Sequence, residues 1–170
     1  MTELALVLLS VLPVLVIVAG LHDLTTMKIP NWLSGLLIVG FFPAALALGL
    51  PLTTTAVSVG VALAALVVGA GMFALNWIGG GDAKLMAAAS LWLGLSGLVP
   101  FLLYTALAGG GLCLVLLTAR GRLQAYALNA PGWVSRLMAP KGDIPYGVAI
   151  AVGALLAYPA SPLVQAFAAA

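Results

Sequence analysis

Two aspartates, Asp23 and Asp82, each stand against long apolar runs in a chain of which only 6% of residues carry charge. An ionisable side chain near a bilayer core costs about 2.5 to 3.5 kcal/mol on insertion scales, so it is retained where it faces a polar cavity or does chemistry. Two carboxylates held close cannot both ionise cheaply; one keeps a proton near neutral pH and the pair titrates as a unit. The ionised member can then take a proton from a water that attacks a peptide carbonyl. The protonated member hydrogen-bonds the carbonyl oxygen and afterwards assists the leaving amine. Glycines at 79, 80 and 81 remove side chains beside Asp82, which lets a substrate backbone come close.

Other chemistries have too few residues to work with. His22 is the sole histidine and no nucleophile elbow is present, which excludes a serine–histidine–acid arrangement. Two or three carboxylates do not by themselves supply the oxygen ligands of a hard cation. A single cysteine, Cys113, allows neither an intramolecular disulfide nor a cysteine metal site. No cofactor and no metal are expected. The net charge of +2 comes from scattered basic residues, so nucleic acid is not an expected partner.

The elements that must position the two aspartates are membrane spans. With 64% hydrophobic residues over 170 positions and a mean hydropathy of +1.25, the chain is too apolar for a soluble domain, whose apolar share is about 45 to 50%. Spans of about 20 apolar residues fit a hydrocarbon core about 30 Å thick. The sequence divides into six: Leu4 to Leu21, Trp32 to Leu50, Thr55 to Ile78, Ala83 to Leu98, Pro100 to Ala119 and Tyr146 to Phe167. The fourth and fifth are separated only by Gly97 and Pro100, as in a bent hydrophobic hairpin. The expected fold is all-α: a polytopic integral membrane protein with about six transmembrane helices, in a single domain covering residues 1–170. Met1-Thr2-Glu3 lacks a basic n-region, so the first run is expected to be a retained span.

With six spans, all six basic residues (Lys28, Lys84, Arg120, Arg122, Arg136 and Lys141) fall on one side of the membrane, the side that basic loops mark as cytoplasmic. Both termini are then expected outside the cytoplasm, and Asp23, Asp82 and Asp143 on the cytoplasmic side. Trp32, Trp77 and Trp133 fall near the same side as interfacial aromatics, whereas Trp92 does not and is expected between helices or against lipid. The long connection Arg120 to Pro145 mixes basic residues with Leu123, Tyr126, Leu128, Trp133, Leu137 and Met138, as a segment lying on the membrane surface would, with Asn129 to Gly132 breaking it in two. Small residues four apart, Gly60 with Ala64 and Ala83 with Ala87, suit close helix approach.

Gly79-x-Gly81-Asp82 followed by Lys84, together with Asp23 and the segment Lys28-Ile29-Pro30-Asn31 some sixty residues earlier, resembles the type IV prepilin peptidases, intramembrane aspartic proteases of the GxGD group. Pro145-Tyr146-Gly147 at the opening of the last span resembles a further segment of that family, and the likeness covers nearly the whole chain in order and spacing. The resemblance implies that Asp23 and Asp82 are a catalytic pair, shaped by Gly79, Gly81, Lys84, Lys28, Pro30 and Asn31. It implies as substrate a prepilin or pseudopilin, engaged through its leader and first transmembrane segment and cut at the cytoplasmic face of the bacterial inner membrane, with membrane lipid as surroundings. The short form is most similar to the peptidases of tight-adherence, Flp-type pili. Larger relatives that also methylate the new N-terminus carry an insert with two cysteine pairs, and this chain has neither in its first connection, which implies cleavage without methylation.

Each signal also has a plainer reading. Asp82 alone could cap a helix N-terminus, Asp23 could be a membrane-edge residue, and Asp143 beside Lys141 reads as a solvated loop residue. Lys28 and Lys84 read as snorkelling topology residues, Pro30 as a helix-start residue and His22 as a satisfied interfacial side chain. An archaeal preflagellin peptidase or a signal-peptide-peptidase-like enzyme is a related enzymatic alternative. The rival from another class is a non-catalytic transporter or pilus-assembly scaffold with proton-relay aspartates.

Overall fold

In lipid every backbone N–H and C=O must find a partner within its own segment, and the apolar runs of this chain meet that demand as helices. The computed structural model describes residues 2–123, 130–140 and 142–169. In chain order the helices are α1 (Thr2–Thr26), α2 (Asn31–Ala47), α3 (Leu52–Ala74), α4 (Gly80–Leu123), the short α5 (Gly132–Leu137), α6 (Tyr146–Ala157) and α7 (Pro162–Ala168), with a single 3-10 turn, Tyr158–Ala160, between the last two. Among the described residues four segments are long and apolar enough to cross a membrane: Glu3–Thr26, Leu52–Ala74, Gly80–Arg122 and Tyr146–Ala168, with Asn31–Ala47 as a shorter apolar helix. The protein is a multi-pass, all-α membrane protein.

Sequence alone set the fourth and fifth spans apart at Gly97 and Pro100; the break lies earlier, at Gly94, whose φ of 57° and ψ of −165° are non-helical. A positive φ suits glycine, and there a Cβ would also sit 2.8 Å from Pro162 and 3.0 Å from Ser58. Pro100, like Pro13 and Pro43, is accommodated inside a helix. The chain reverses at Gly94. Before it, α4 runs antiparallel to α3, with Ala83 against Gly69 and Gly94 against Ser58. After it, α4 runs antiparallel to α6, with Gly97 near Ala157, Thr105 against Gly153 and Gly109 against Tyr146. The first half, residues 80–93, is about 21 Å long at 1.5 Å per residue. The two halves are thus a re-folded hairpin that returns the chain to the end where it started.

Several boundaries also move. α1 continues past Leu21 to Thr26, so Asp23 lies in its last turns, and α4 starts at Gly80, so Asp82 lies in its first. α3 ends at Ala74, short of Ile78, and α4 continues past Arg120 to Leu123. Beyond α4, α5 is the only regular element among the described residues of the long connection. Tyr126, Leu128, Asn129 and Lys141, named for a surface segment there, lie outside the described residues.

The core sits where α1, α2, α6 and the first half of α4 meet, around Leu12, Val16, Leu37, Phe41, Trp92 and Ile150, all fully buried. Trp92 packs between helices, edge-on to Phe41, and its indole N–H donates to the Leu37 carbonyl at 2.8 Å. Trp32, Trp77 and Trp133 are exposed, as interfacial aromatics would be. Of the two small-residue pairs, Ala83 and Ala87 are buried as expected, but Gly60 and Ala64 face open space: a Cβ on Gly60 would meet nothing within 4 Å.

Candidate functional site

At the end of the bundle where α1 and α3 finish and α4 and α6 begin, Asp23 and Asp82 line one cavity of about 680 Å³. α1 stops there because Met27 takes a left-handed φ of 57°, its N–H closing back on the Asp23 carbonyl at 2.8 Å. Pro30 then forces extended backbone before it and opens α2 with a φ of −64°. α3 stops in the same way at Asn76, φ 58°. Met27 and Asn76 are the two non-glycine residues with positive φ among those described, and both line this cavity. Backbone strain of this kind gathers at working sites.

Asp23 is 6% exposed, and its Oδ2 accepts the backbone N–H of Gly147 at 2.8 Å. That bond requires close approach: a Cβ at 147 would lie 2.9 Å from Asp23 Oδ2 and 2.9 Å from Ile29 Cδ1. Asp82 Oδ2 accepts the N–H of Gly79 at 3.2 Å, where a Cβ would lie 2.8 Å from the same oxygen. The other oxygen, Oδ1, is buried without a hydrogen-bond partner. Asp82 does sit in the first turn of its helix, as a capping residue would, but this oxygen is left over for the cavity.

Ile29 joins the three motif segments. A Cβ on Gly81 would come within 3.0 Å of the Ile29 Cβ, while the Ile29 Cδ1 lies against Gly147. Glycines are therefore needed on both sides of one branched side chain, and the loop after α1, the start of α4 and the start of α6 lock together there. Sequence inspection set out Pro30 and Asn31 as site-shaping residues but not Ile29. The Gly147 N–H was equally hidden, because a backbone donor has no side-chain signature.

Lys84 Nζ donates to Asn31 Oδ1 at 3.0 Å, so these two residues, 53 positions apart, tie α4 to α2 beside the site. Lys28 is exposed, and the loop uses its carbonyl, which accepts from His22 Nδ1 at 2.7 Å. His22 is thereby a structural interfacial residue. Asp143 is exposed on the rim of the same cavity.

Arg120 departs most from its expected part. Taken from sequence as a loop cation marking topology, it lies within α4, is 8% exposed, and forks onto three carbonyls: Leu137 at 2.8 Å, Gly142 at 2.8 Å and Asp143 at 2.7 Å. A guanidinium has five donors in a fixed plane, which suits a buried clamp of this kind. It holds the segment that leads into Pro145-Tyr146-Gly147, and through Gly147 it bears on Asp23. Among the described residues no group of three or more His, Cys, Asp and Glu side chains is arranged to hold a metal ion.

Residues 10–114 match the Type IV leader peptidase family, a stretch that contains both aspartates, Ile29 and the Gly79-x-Gly81 turn. No curated protein and no solved structure matches the chain significantly.

Proposed function

The chain belongs to the Type IV leader peptidase family and so to the aspartic-type hydrolases that cleave prepilin leaders; from that premise we propose that Asp23 and Asp82 are its catalytic pair. The observation that carries the reading is their convergence on one cavity from helices otherwise unrelated in sequence, each held by a single backbone N–H. In the mechanism that this supports, water enters between the carboxyl groups. The ionised carboxylate takes a proton from the water as its oxygen attacks the peptide carbonyl carbon, and the protonated carboxyl gives a hydrogen bond and then its proton to the carbonyl oxygen. Collapse of the tetrahedral intermediate breaks the C–N bond, and the proton first taken from water passes to the leaving amine. As the C–N bond breaks, one hydroxyl of the intermediate returns its proton to the other carboxylate, so the pair again shares a single proton.

The finer assignments belong to the same proposal. Cleavage takes place at the cytoplasmic face, supported by Lys84 and the Arg120 and Arg136 contacts at the aspartate end, since basic residues favour that side. The substrate is a Flp-type prepilin of tight-adherence pili, and the new N-terminus is not methylated.

The test is co-expression with a Flp-type prepilin and mass measurement of the pilin for the wild type, Asp23→Asn, Asp82→Asn and Asp143→Asn. Leader removal should fall by more than about 100-fold in the first two, the scale of a lost acid or base, and persist in the third. Normal processing by Asp23→Asn or Asp82→Asn sinks the pair, and a methylated product made by the purified protein sinks the last assignment.

A further inference from the structure

The unfilled small-residue face of α3 borders a groove of about 510 Å³, with Gly60, Ala64 and Met72 on one wall and Met86, Ser90 and Leu98 of α4 on the other. It extends along α3 from Val57 to Met72, about 22 Å at 1.5 Å per residue. At the aspartate end Met72 also lines the cavity of Asp23 and Asp82, so the two spaces adjoin. At the far end Val57 and Leu95 are shared with a recess that holds Thr54, Ser96 and Gln165. The groove is thus apolar through its middle and polar at both ends, the profile of a membrane-spanning helix.

One atom points to an occupant. Ser90 is 1% exposed and lines the groove, and its hydroxyl has no hydrogen-bond partner. A buried hydroxyl left unmade is costly, and in lipid-facing walls serine is a residue through which helices bond to one another. An acyl chain offers nothing at that depth for Ser90 to bond, whereas a peptide helix offers polar side chains and carbonyls. Small residues opposite it permit the close backbone approach that such a bond needs.

We infer that this groove docks the apolar transmembrane segment of the substrate, laid along α3 so that the leader emerges at Met72 beside Asp82. The inference rests on the prepilin-peptidase reading and adds to it the surface that selects a membrane-anchored substrate. Gly60→Leu is the variant that fills the groove without disturbing the fold, since the added side chain starts in open space and leucine favours helix. Gly35→Leu is its match in another cleft, which α2, α4 and a different face of α3 line, and also starts in open space.

In bilayer nanodiscs the full chain and both variants are given a full-length prepilin and, separately, a leader peptide that stops shortly after the cut. Gly60→Leu should raise KM for the full-length prepilin by about tenfold, the scale of a misfitted apolar group, with cleavage of the short peptide unchanged and Gly35→Leu moving neither. Equal effects on both substrates, no effect at Gly60, or an effect at Gly35 in its place overturns the groove. A photo-crosslinker at Val61, in an Asp82→Asn background that leaves the prepilin uncut, should label one face of the prepilin's apolar segment. Labelling of lipid alone or of a second copy of this chain overturns the inference. Crosslinking reads docking without cleavage, so prepilin labelled but never cut by the wild type refutes the peptidase reading, and prepilin cut but never labelled refutes the groove.

Discussion

The spans Tyr146–Ala168 and Leu52–Ala74 are equally able to cross a membrane by length, yet within an apolar stretch of 18 residues half of the first is buried in the protein and only 11% of the second. Both carry small residues, and those of α6 are used. A Cβ on Gly20 of α1 would touch Ala151 at 3.1 Å, Gly153 is pressed by Thr105, and Tyr158 reaches the Leu9 carbonyl with its hydroxyl at 2.8 Å. On α3, Gly69 is filled in this way by Ala83 at 3.0 Å and Ser58 is buried against Gly94, but Gly60 and Gly71 meet nothing within 4 Å. Small residues permit close approach without compelling it, and in lipid an unfilled face costs little because hydrocarbon solvates it. The consequence for the site is an asymmetric pair. Asp23 is fixed by the packed side through Gly147, and Asp82 opens α4 at the seam with the side left bare.

The strongest way to test that asymmetry is to disturb one glycine on each side. Gly147→Ala puts a methyl group 2.9 Å from Asp23 Oδ2 and 3.0 Å from its Cβ, so the carboxylate must shift. A displacement of that order near reacting atoms costs about 100-fold in rate, and kcat should fall by at least about that much. Gly71→Ala on α3, where an added Cβ meets nothing within 4 Å, should leave kcat unchanged. Steady-state cleavage by the two purified variants decides it; comparable losses would erase the distinction between a fixed and an open side.

A smaller effect is expected at the clamp. Arg120→Ala leaves three carbonyls without their cation and should destabilise the protein by about 3 kcal/mol, read from thermal unfolding in detergent. Arg120→Lys should recover part of this, because one ammonium cannot span three acceptors in a plane. Cleavage should fall with Arg120→Ala even at temperatures where the protein stays folded, since the clamped segment carries Gly147 to Asp23. Full recovery by lysine would mean that the residue acts only as a positive charge.

These contrasts mark what the amino-acid sequence makes legible. Asp23, Asp82 and the glycines beside Asp82 stand out because carboxylates are expensive among apolar runs and side-chain-free turns are visible in the letters. The helical class is legible for the same reason. Gly94 is not, because its difference from Gly97 lies in a positive φ and in the close approach of Pro162 and Ser58, which come from other helices. Arg120 reads as a loop charge until its three acceptors, 17 to 23 residues onward, are seen to fold back on it. Ile29 reads as one more apolar residue until glycines from two distant segments are found against it. What sequence conceals here is long-range juxtaposition and backbone chemistry.

The smallest expected effect separates a hydroxyl on the open side from one on the packed side. Ser90 Oγ and Thr105 Oγ1 are both buried without a partner, at 1% and 3% exposure, but Ser90 lines the α3 groove and Thr105 is pressed against Gly153 of α6. Removing an unpartnered buried hydroxyl relieves its desolvation cost, so Ser90→Ala and Thr105→Val should each stabilise the resting protein by about 1 kcal/mol. If the groove receives the substrate's apolar segment, Ser90→Ala also loses one bond to it, and KM for full-length prepilin should rise by roughly fivefold while Thr105→Val leaves KM alone. Thermal unfolding and full-length kinetics on the two variants give both readings. Stabilisation in both with no change in either KM would make Ser90 an ordinary unpartnered hydroxyl and leave the bare face of α3 to lipid.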